Sequence, residues 1–180
     1  RALERVEGMR NLTMDLLDFT RIRLDNRKDK VKMVNLRETA KMSISTVKPY
    51  AIQKNISIKL ETEEKIEIEA DPYDMEIIFN NLLSNAVKYN RDHGTVIINI
   101  SKGDEGVILR VTDNGIGMTE DESTQLFKEF VRIKNDKTKN ITGSGLGLSI
   151  VRKISDIYHG KISVTSKPDV GTTFTVILPV

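Results

Sequence analysis

The chain contains no cysteine and no long apolar run, and its 28 basic and 26 acidic residues nearly cancel. Without cysteine, disulfides and thiolate metal sites are excluded. No apolar segment approaches the roughly 20 residues that span a bilayer, and none has the pattern of a signal peptide. A formal charge of only +2 argues against a nucleic-acid binder that relies on a strong basic field. The 180 residues suffice for one sizeable α/β domain and a small extra element.

The amino-terminal segment predicts one long helix over residues 1–24. Its apolar residues recur at spacings of three and four, at Leu3, Val6, Met9, Leu12, Leu16, Phe19 and Ile22. Such a stripe needs a partner helix or a dimer. The charged run DNRKDK follows and predicts a linker. We therefore divide the chain into a bundle helix (1–26), a linker (27–30) and a second domain (31–180). Because the helical pattern is already present at Arg1, we expect the chain to be part of a longer protein.

The second domain alternates helical and strand patterns. Asn35 can cap a helix that runs to about Gln53, and Asp71-Pro72 can begin another. The remaining elements are strands at 56–60, 66–70, 95–102, 106–113, 161–166 and 172–179, a short helical piece near 125–131 and a helix at 146–159. This order predicts an α+β fold, a two-layer α/β sandwich with five or six strands and three helices.

The helix after Asp71 carries an unusual group of amides. Asn81 and Asn85 are four residues apart and share a face, with Lys88 and Tyr89 one turn further on. Asparagine is a poor helix former, so its repeated use in one patch suggests a site. An amide oxygen suits Mg²⁺, which completes its shell with water and phosphate oxygens. The alternative is an asparagine-rich surface helix.

The sequence DNGIG follows directly after an alternating strand. The Asp113 carboxylate can accept a hydrogen bond from an exocyclic amine such as adenine N6. Gly115 and Gly117 let the chain turn and leave room for a flat base. A calcium loop is excluded because Gly115 stands where a ligand is needed. An ordinary turn remains the alternative.

The sequence GSGLGL, from Gly143 to Leu148, opens a helix. Glycine-rich turns at helix amino termini hold phosphates, because free N–H groups and the helix dipole face the anion. A P-loop is excluded because GK[ST] is missing, and a dinucleotide fingerprint is excluded because polar residues, not a strand, come before it. A flexible hinge is the alternative reading of this loop alone.

The connection between the two glycine motifs is long and polar, which is typical of a functional loop. Phe127 and Phe130 are three residues apart and can anchor a mobile lid over the site. Arg132 is the cation we expect to meet a phosphate. The later lysines, Lys134, Lys137 and Lys139, read as ordinary surface charges.

Together these motifs resemble, in order and spacing, the ATP-binding catalytic domain of sensor histidine kinases. This domain belongs to the superfamily that also holds gyrase, MutL and Hsp-type chaperone ATPases. The matching segments are NNLLSNAVKYN (80–90), DNGIGM (113–118), LFKEFVR (126–132), GSGLGL (143–148) and GTTF (171–174). The resemblance covers residues 31–180 and implies a Bergerat-type fold, a mixed sheet with three helices on one face. Residues 1–26, with DLLDFTRI, resemble the second helix of the dimerisation and phosphoacceptor domain.

The resemblance also implies roles for individual residues. Asn85 becomes the Mg²⁺ ligand with Asn81 beside it, Lys88 and Arg132 contact phosphate, and Tyr89 lines the pocket. The implied nucleotide contacts are Asp113, Gly115, Ile116, Gly117, Gly143, Ser144, Gly145, Leu146, Gly147 and Thr173.

Two departures from the superfamily refine the expectation. Its ATP-hydrolysing members carry a glutamate one turn before the Mg²⁺ asparagine, where this chain has Asn81. An amide cannot act as a general base, which favours phosphoryl transfer over hydrolysis. No motif like HELRTPL, which carries the phosphoacceptor histidine in this family, is present in the sequence. We therefore expect no autophosphorylation by this chain alone.

The resemblance implies a protein-histidine kinase core that uses ATP and Mg²⁺. Its expected partners are a phosphoacceptor helix of its own full-length chain or dimer mate, and the receiver domain of a response regulator. Nucleic acid is not an expected partner. The region is expected in the cytoplasm, in a homodimer whose membrane anchor, if present, lies upstream. The alternatives are a serine kinase of the anti-sigma-factor type and a nucleotide-sensing module without transfer activity.

Overall fold

The computed structural model describes residues 2–24, 30–62, 65–139, 141 and 143–179. The predicted linker lies outside the described residues, except for Lys30. The helices are α1 (Ala2–Leu24), α2 (Leu36–Gln53), α3 (Pro72–Lys88), α4 (Glu120–Ser123) and α5 (Gly147–Ile157). The strands are β1 (Lys32–Asn35), β2 (Ser57–Thr62), β3 (Glu67–Ala70), β4 (Thr95–Gly103), β5 (Gly106–Asp113), β6 (Lys161–Lys167) and β7 (Gly171–Leu178).

The main sheet has five strands in the order β2-β4-β5-β7-β6. Strand β2 runs parallel to β4, and the other neighbours pair antiparallel, so the sheet is mixed. Helices α2, α3 and α5 pack against this sheet. The predicted α+β sandwich is confirmed. The described chain also has a second sheet, in which the unpredicted β1 pairs antiparallel with β3.

Helix α3 is the central element of the core and begins as the sequence predicts. The Asp71 side chain caps it by accepting the Tyr73 N–H at 2.9 Å, with Pro72 in the first turn. Its predicted inward face is buried, and each such side chain contributes roughly 1.5–3 kcal/mol of hydrophobic stabilisation. These residues are Met75, Ile78, Phe79, Leu82 and Ala86.

The short helix of the long connection lies earlier than predicted. Helix α4 spans Glu120–Ser123, and turns follow it, so the helical piece expected near 125–131 is wrong. The reason is a capping box. The Thr119 hydroxyl accepts the Glu122 N–H at 3.3 Å, and the Glu122 carboxylate accepts the Thr119 N–H at 2.9 Å. These local bonds start the helix at residue 120.

Helix α1 is one helix, as predicted, but its described apolar side chains stay exposed. Their exposed fractions lie between 45% and 62%, for Val6, Met9, Leu12, Met14, Leu16 and Leu17. The printed contacts of α1 with the domain instead come from polar residues, Asp15, Asp18 and Arg21. No helix in the described part of the chain has the length and apolar character needed to cross a bilayer.

Candidate nucleotide site

Asp113 ends β5 with its side chain on the helix-covered face of the sheet. The residue is 7% exposed, and its carboxylate accepts the Gly115 N–H at 2.9 Å. Burial raises the pKa of Asp113 to about 6, while the N–H groups of Gly115 and Thr172 act in the opposite direction. A buried carboxylate with a raised pKa favours a ligand that donates a hydrogen bond. This residue is therefore suited to reading an exocyclic amine.

Thr172 is the β7 neighbour of Asp113, and the predicted Thr173 is not. Thr172 pairs with Asp113 across the strands, is buried, and its hydroxyl lies 2.9 Å from that of Ser166. Thr173 pairs with Thr112, and their hydroxyls lie 3.0 Å apart on the opposite face of the sheet. The prediction for Thr173 is corrected, because a one-residue step along a strand reverses the side-chain direction.

The loop after Asp113 is clamped between the end of α3 and the β6–β7 turn. The Ile116 N–H donates to the Tyr89 carbonyl at 3.1 Å, and the Ile116 carbonyl accepts the Asp169 N–H at 2.8 Å. Gly117 has φ +60°, and a Cβ there would lie 1.9 Å from the Lys167 carbonyl oxygen. The backbone groups of Ile116 and Gly117 thus fix the loop to its neighbours, which places Asp113 against the end of α3.

Asn81 and Asn85 lie on the α3 face that meets the start of α5. The Asn81 amide donates to the Ile77 carbonyl at 2.9 Å, and a Cβ on Gly147 would lie 2.3 Å from the Asn81 side-chain oxygen. Asn85, one turn later, is half-buried. No group of three or more His, Cys, Asp or Glu side chains suited to a metal occurs among the described residues. The amide oxygen of Asn85 fits a Mg²⁺ ion whose other ligands are phosphate oxygens and water.

Lys88, Tyr89 and Arg132 form the basic part of the site. Burial lowers the pKa of Lys88, and the positive charge of Arg132 lowers it further. The Lys88 ammonium lies 5.6 Å from the centre of the Tyr89 ring. Burial raises the pKa of Tyr89, against the effect of Arg132. Two mutually repelling cations in a half-buried position favour an anion between them.

The glycine loop reaches this basic group directly. A Cβ on Gly143 would lie 2.7 Å from the Lys88 ammonium nitrogen. Gly145 has φ +77°, and a Cβ there would lie 3.1 Å from the Arg132 side chain. The loop, Lys88 and Arg132 are therefore brought together as predicted, at the amino end of α5.

Leu146 and its N–H group differ from the expectation of a free phosphate cradle. The Leu146 side chain is fully buried in the core and is not part of a nucleotide surface. Its N–H donates to the Ser144 hydroxyl at 3.1 Å, so this amide is not free. The reason is the amphipathic start of α5, which needs an apolar anchor at its first turn.

The lid is held by one phenylalanine rather than two. Phe127 is half-buried against the core, while Phe130 is 63% exposed with φ +60°. The Arg132 guanidinium donates to the Ile141 carbonyl, and Lys153 pairs with Glu129 at 2.7 Å. The expectation that Phe130 anchors the lid is wrong, because its side chain points away from the core.

Two residues near the site were not predicted as site residues. The strand alternation around Phe174 could have identified Thr172, because Thr172 shares the buried face with Phe174. Asp15 of α1 is the second, since its carboxylate accepts a hydrogen bond from Ser144. Nothing in the local pattern around residue 15 indicates a partner 129 positions away.

Comparison with known proteins agrees with this geometry. Residues 70–180 match the model of the histidine kinase-, DNA gyrase B-, and HSP90-like ATPase family. The chain is 30% identical over 167 residues to the sensor histidine kinase RcsC of Escherichia coli K12, which covers 92% of the chain and 18% of RcsC. The chain thus spans about a fifth of the length of that relative.

Solved histidine kinases share the fold. The catalytic domain of histidine kinase ThkA is 27% identical with a TM-score of 0.72, over 83% of this chain and 95% of that one. ThkA has also been solved in complex with the response regulator protein TrrA. Full-length ShkA in complex with AMPPNP is 26% identical with a TM-score of 0.81, over 99% of this chain and 38% of that one. The chain belongs to the histidine kinase-, DNA gyrase B-, and HSP90-like ATPase family, as a catalytic domain of the sensor histidine kinase type.

Proposed function

We propose that this chain binds Mg·ATP and transfers the γ-phosphate to a histidine on a bundle helix of the full-length protein, outside this chain. The observation that carries the proposal is the pairing of two unlike ends in one site. A buried carboxylate, Asp113, lies at one end, and two mutually repelling cations, Lys88 and Arg132, lie at the other. A purine with a phosphate tail matches both.

The Asp113 end selects the base. Adenine presents an exocyclic amine that donates to a carboxylate, whereas guanine presents a carbonyl oxygen at the equivalent position. The Gly115 and Thr172 N–H groups favour the ionised form of Asp113 and fix its orientation. Adenine is therefore the base that this end of the site accepts.

The Lys88 end holds the phosphates. The Lys88 ammonium lies against Gly143, and Arg132 lies against Gly145, so both cations border the glycine loop. Phosphoryl transfer needs positioning and charge stabilisation more than covalent help from the protein. These two side chains supply positive charge where negative charge is transferred.

Mg²⁺ fits the amide face of α3, with Asn85 as its protein ligand and Asn81 beside it. When bound, Mg²⁺ neutralises phosphate charge and helps to align the phosphates. The Asn81 amide nitrogen is used by Ile77, which leaves the side-chain oxygen directed at Gly147. Because an amide cannot remove a proton from water, residue 81 supports transfer to another side chain rather than hydrolysis.

The acceptor and the partners follow from α1. Its exposed apolar side chains are suited to packing in a helical bundle, as expected for the second helix of a dimerisation and phosphoacceptor domain. A histidine on the first bundle helix, of the same chain or of a dimer mate, is the acceptor. A response regulator receives the phosphate from it. A domain that consumes ATP in this way acts in the cytoplasm, and anchoring of the full-length protein to a membrane remains a prediction.

The test is transfer in trans. This chain is incubated with Mg²⁺, ATP labelled at the γ-phosphate, and the separately purified bundle segment of its full-length protein. We expect label on the segment that is lost in acid and kept in base, as for phosphohistidine, and no label on this chain alone. Label that survives acid would indicate a hydroxyl acceptor. A segment that full-length kinase labels but this chain does not would contradict the proposal.

A further inference from the structure

The carboxylate of Asp15, on α1, contacts the glycine loop. The Ser144 hydroxyl donates to Asp15, and the same hydroxyl accepts the Leu146 N–H at 3.1 Å. Leu146 is the residue before the first turn of α5, where N–H groups and the helix dipole attract anions. An anionic group from another helix is thus already coupled to the amino end of α5.

Asp15 also interacts with the basic part of the site. Its negative charge raises the pKa of Lys88, against the effects of burial and of Arg132. Burial raises the pKa of Asp15 itself, and the bond from Ser144 and the charge of Lys88 act against that rise. Asp15 is therefore a half-buried carboxylate whose two stabilising partners, Ser144 and Lys88, belong to the region assigned to phosphate.

Two further polar contacts on the same face of α1 position Asp15. The Tyr73 hydroxyl donates to Asp18 at 2.7 Å, and the Arg21 guanidinium lies 4.0 Å from the centre of the Tyr73 ring. Arg21 also lies 3.9 Å from the carboxylate of Asp71, the cap of α3. Residues 15, 18 and 21 recur every three positions, so a single helix face contacts α3 and the glycine loop.

We propose that Asp15 is a latch that competes with the phosphates of the nucleotide for Ser144 and Lys88, so that Mg·ATP binding releases α1 from the catalytic domain. Both anions need the same hydroxyl and the same ammonium group. A triphosphate carries more charge and more acceptor oxygens than one carboxylate, and with Mg²⁺ it also gains Asn85. The nucleotide therefore displaces Asp15 rather than binding beside it.

The remaining contacts of α1 are weak enough for release. The Arg21–Asp71 pair is long, and the Arg21 side chain is 38% exposed, so solvent screens it. The described apolar side chains of α1 remain exposed beside the domain and give the docked position little hydrophobic stabilisation. Loss of the Asp15 contact therefore shifts α1 toward the undocked position.

Release would matter for catalysis because α1 belongs to the bundle that carries the acceptor. A docked α1 holds the catalytic domain in one orientation, and an undocked α1 lets the domain move with its loaded nucleotide. This inference rests on the proposed function for the identity of the ligand, and the competition itself concerns only Asp15, Ser144 and Lys88.

The first measurement compares nucleotide affinities by calorimetry. Asp15→Ala should strengthen Mg·ATP binding roughly tenfold, since the variant no longer opposes the phosphates with a charge-assisted contact. Adenosine, which lacks phosphates, should bind the variant and the unaltered chain equally. Thr13→Ala is the matched control, because Thr13 is an exposed residue of the same helix that bonds only to the Met9 carbonyl in the described contacts. It should change neither affinity.

The second measurement follows the position of α1. The chain has no native cysteine, so spin labels can be placed at Thr13→Cys on α1 and Arg152→Cys on α5, both exposed positions. Pulsed electron resonance should give a narrow distance distribution without nucleotide, which Mg·ATP broadens and shifts. In the Asp15→Ala background the broad distribution should be present before ATP is added.

Each outcome decides the inference. An unchanged ATP affinity in Asp15→Ala, an equal gain for adenosine, or a distance that ATP leaves unaltered would overturn the latch. Tighter ATP binding with an unaltered distance would also overturn it, because Asp15 would then only repel the phosphates. Absence of ATP binding by the unaltered chain would instead contradict the proposed function, so the two failures are distinguishable.

Discussion

Asn81 and Gly147 are in direct contact between α3 and α5. A Cβ on Gly147 would lie 2.3 Å from the Asn81 side-chain oxygen, and the amide nitrogen of Asn81 is held by the Ile77 carbonyl. The glycine loop can approach the amide face of α3 because residue 147 has no side chain. This contact joins the phosphate end of the site to its proposed Mg²⁺ end.

Gly147→Ala should therefore destabilise the domain by about 1–3 kcal/mol through overpacking. The added methyl group must displace the Asn81 side chain or shift α5. In the double variant Asn81→Ala/Gly147→Ala the oxygen is removed, and we expect most of the lost stability to return. Urea denaturation of both single variants and the double variant measures this coupling. Additive losses would show that the two residues do not clash.

Asn85→Ala should remove the Mg²⁺-dependent part of ATP affinity. The side-chain oxygen of Asn85 is the protein ligand in our account, so its loss should cost about tenfold or more in the presence of Mg²⁺. With EDTA the variant and the unaltered chain should bind ATP alike. Ser84→Ala, an exposed neighbour on the same helix, is the control. Equal losses with and without Mg²⁺ would point to a structural role for Asn85.

Asp113 should make the folded domain less stable as the pH rises from about 4 to about 6. Its folded pKa of about 6 lies above the ordinary value of 3.8, so the folded state binds more protons than the unfolded state in this window. The difference corresponds to about 3 kcal/mol. Asp113→Asn should gain up to that amount relative to the unaltered chain between pH 4 and pH 7. Urea midpoints that run parallel over this range would contradict the raised pKa.

Thr172 and Thr173 should differ in their effect on nucleotide binding. Thr172→Val removes a hydroxyl beside Asp113 that also meets Ser166, so ATP affinity should fall several-fold. Thr173→Val removes a hydroxyl that meets Thr112 on the other face and should leave the affinity unchanged. The two valines have the same shape and strand preference, so each variant controls for the other. A larger effect of Thr173→Val would reverse our assignment.

Local signals in the sequence predicted a large part of this structure. The Asn35 side chain accepts the N–H groups of Arg37 and Glu38 at the start of α2, as the capping pattern predicts. The Asp71-Pro72 start of α3 and the β4–β5 hairpin are also present as predicted. These features depend on neighbouring residues, which is why a single sequence indicates them.

Features that depend on distant partners could not be predicted in the same way. Strand β1 has only four residues and acquires its pairing from β3, more than thirty positions away. Leu146 belongs to the core because α5 folds back onto the sheet, although its motif suggested a ligand contact. The bond between Asp15 and Ser144 joins opposite ends of the chain and has no local pattern.

The most direct test of the central claim is a calorimetric titration of this chain with Mg·ATP, repeated with Lys88→Met. The account predicts saturable binding of one nucleotide per chain, lost or strongly weakened when the Lys88 charge is removed. It also predicts that adenosine binds the variant as it binds the unaltered chain, since Lys88 lies at the phosphate end of the site. Undetectable binding of Mg·ATP to the folded, unaltered chain would contradict the account.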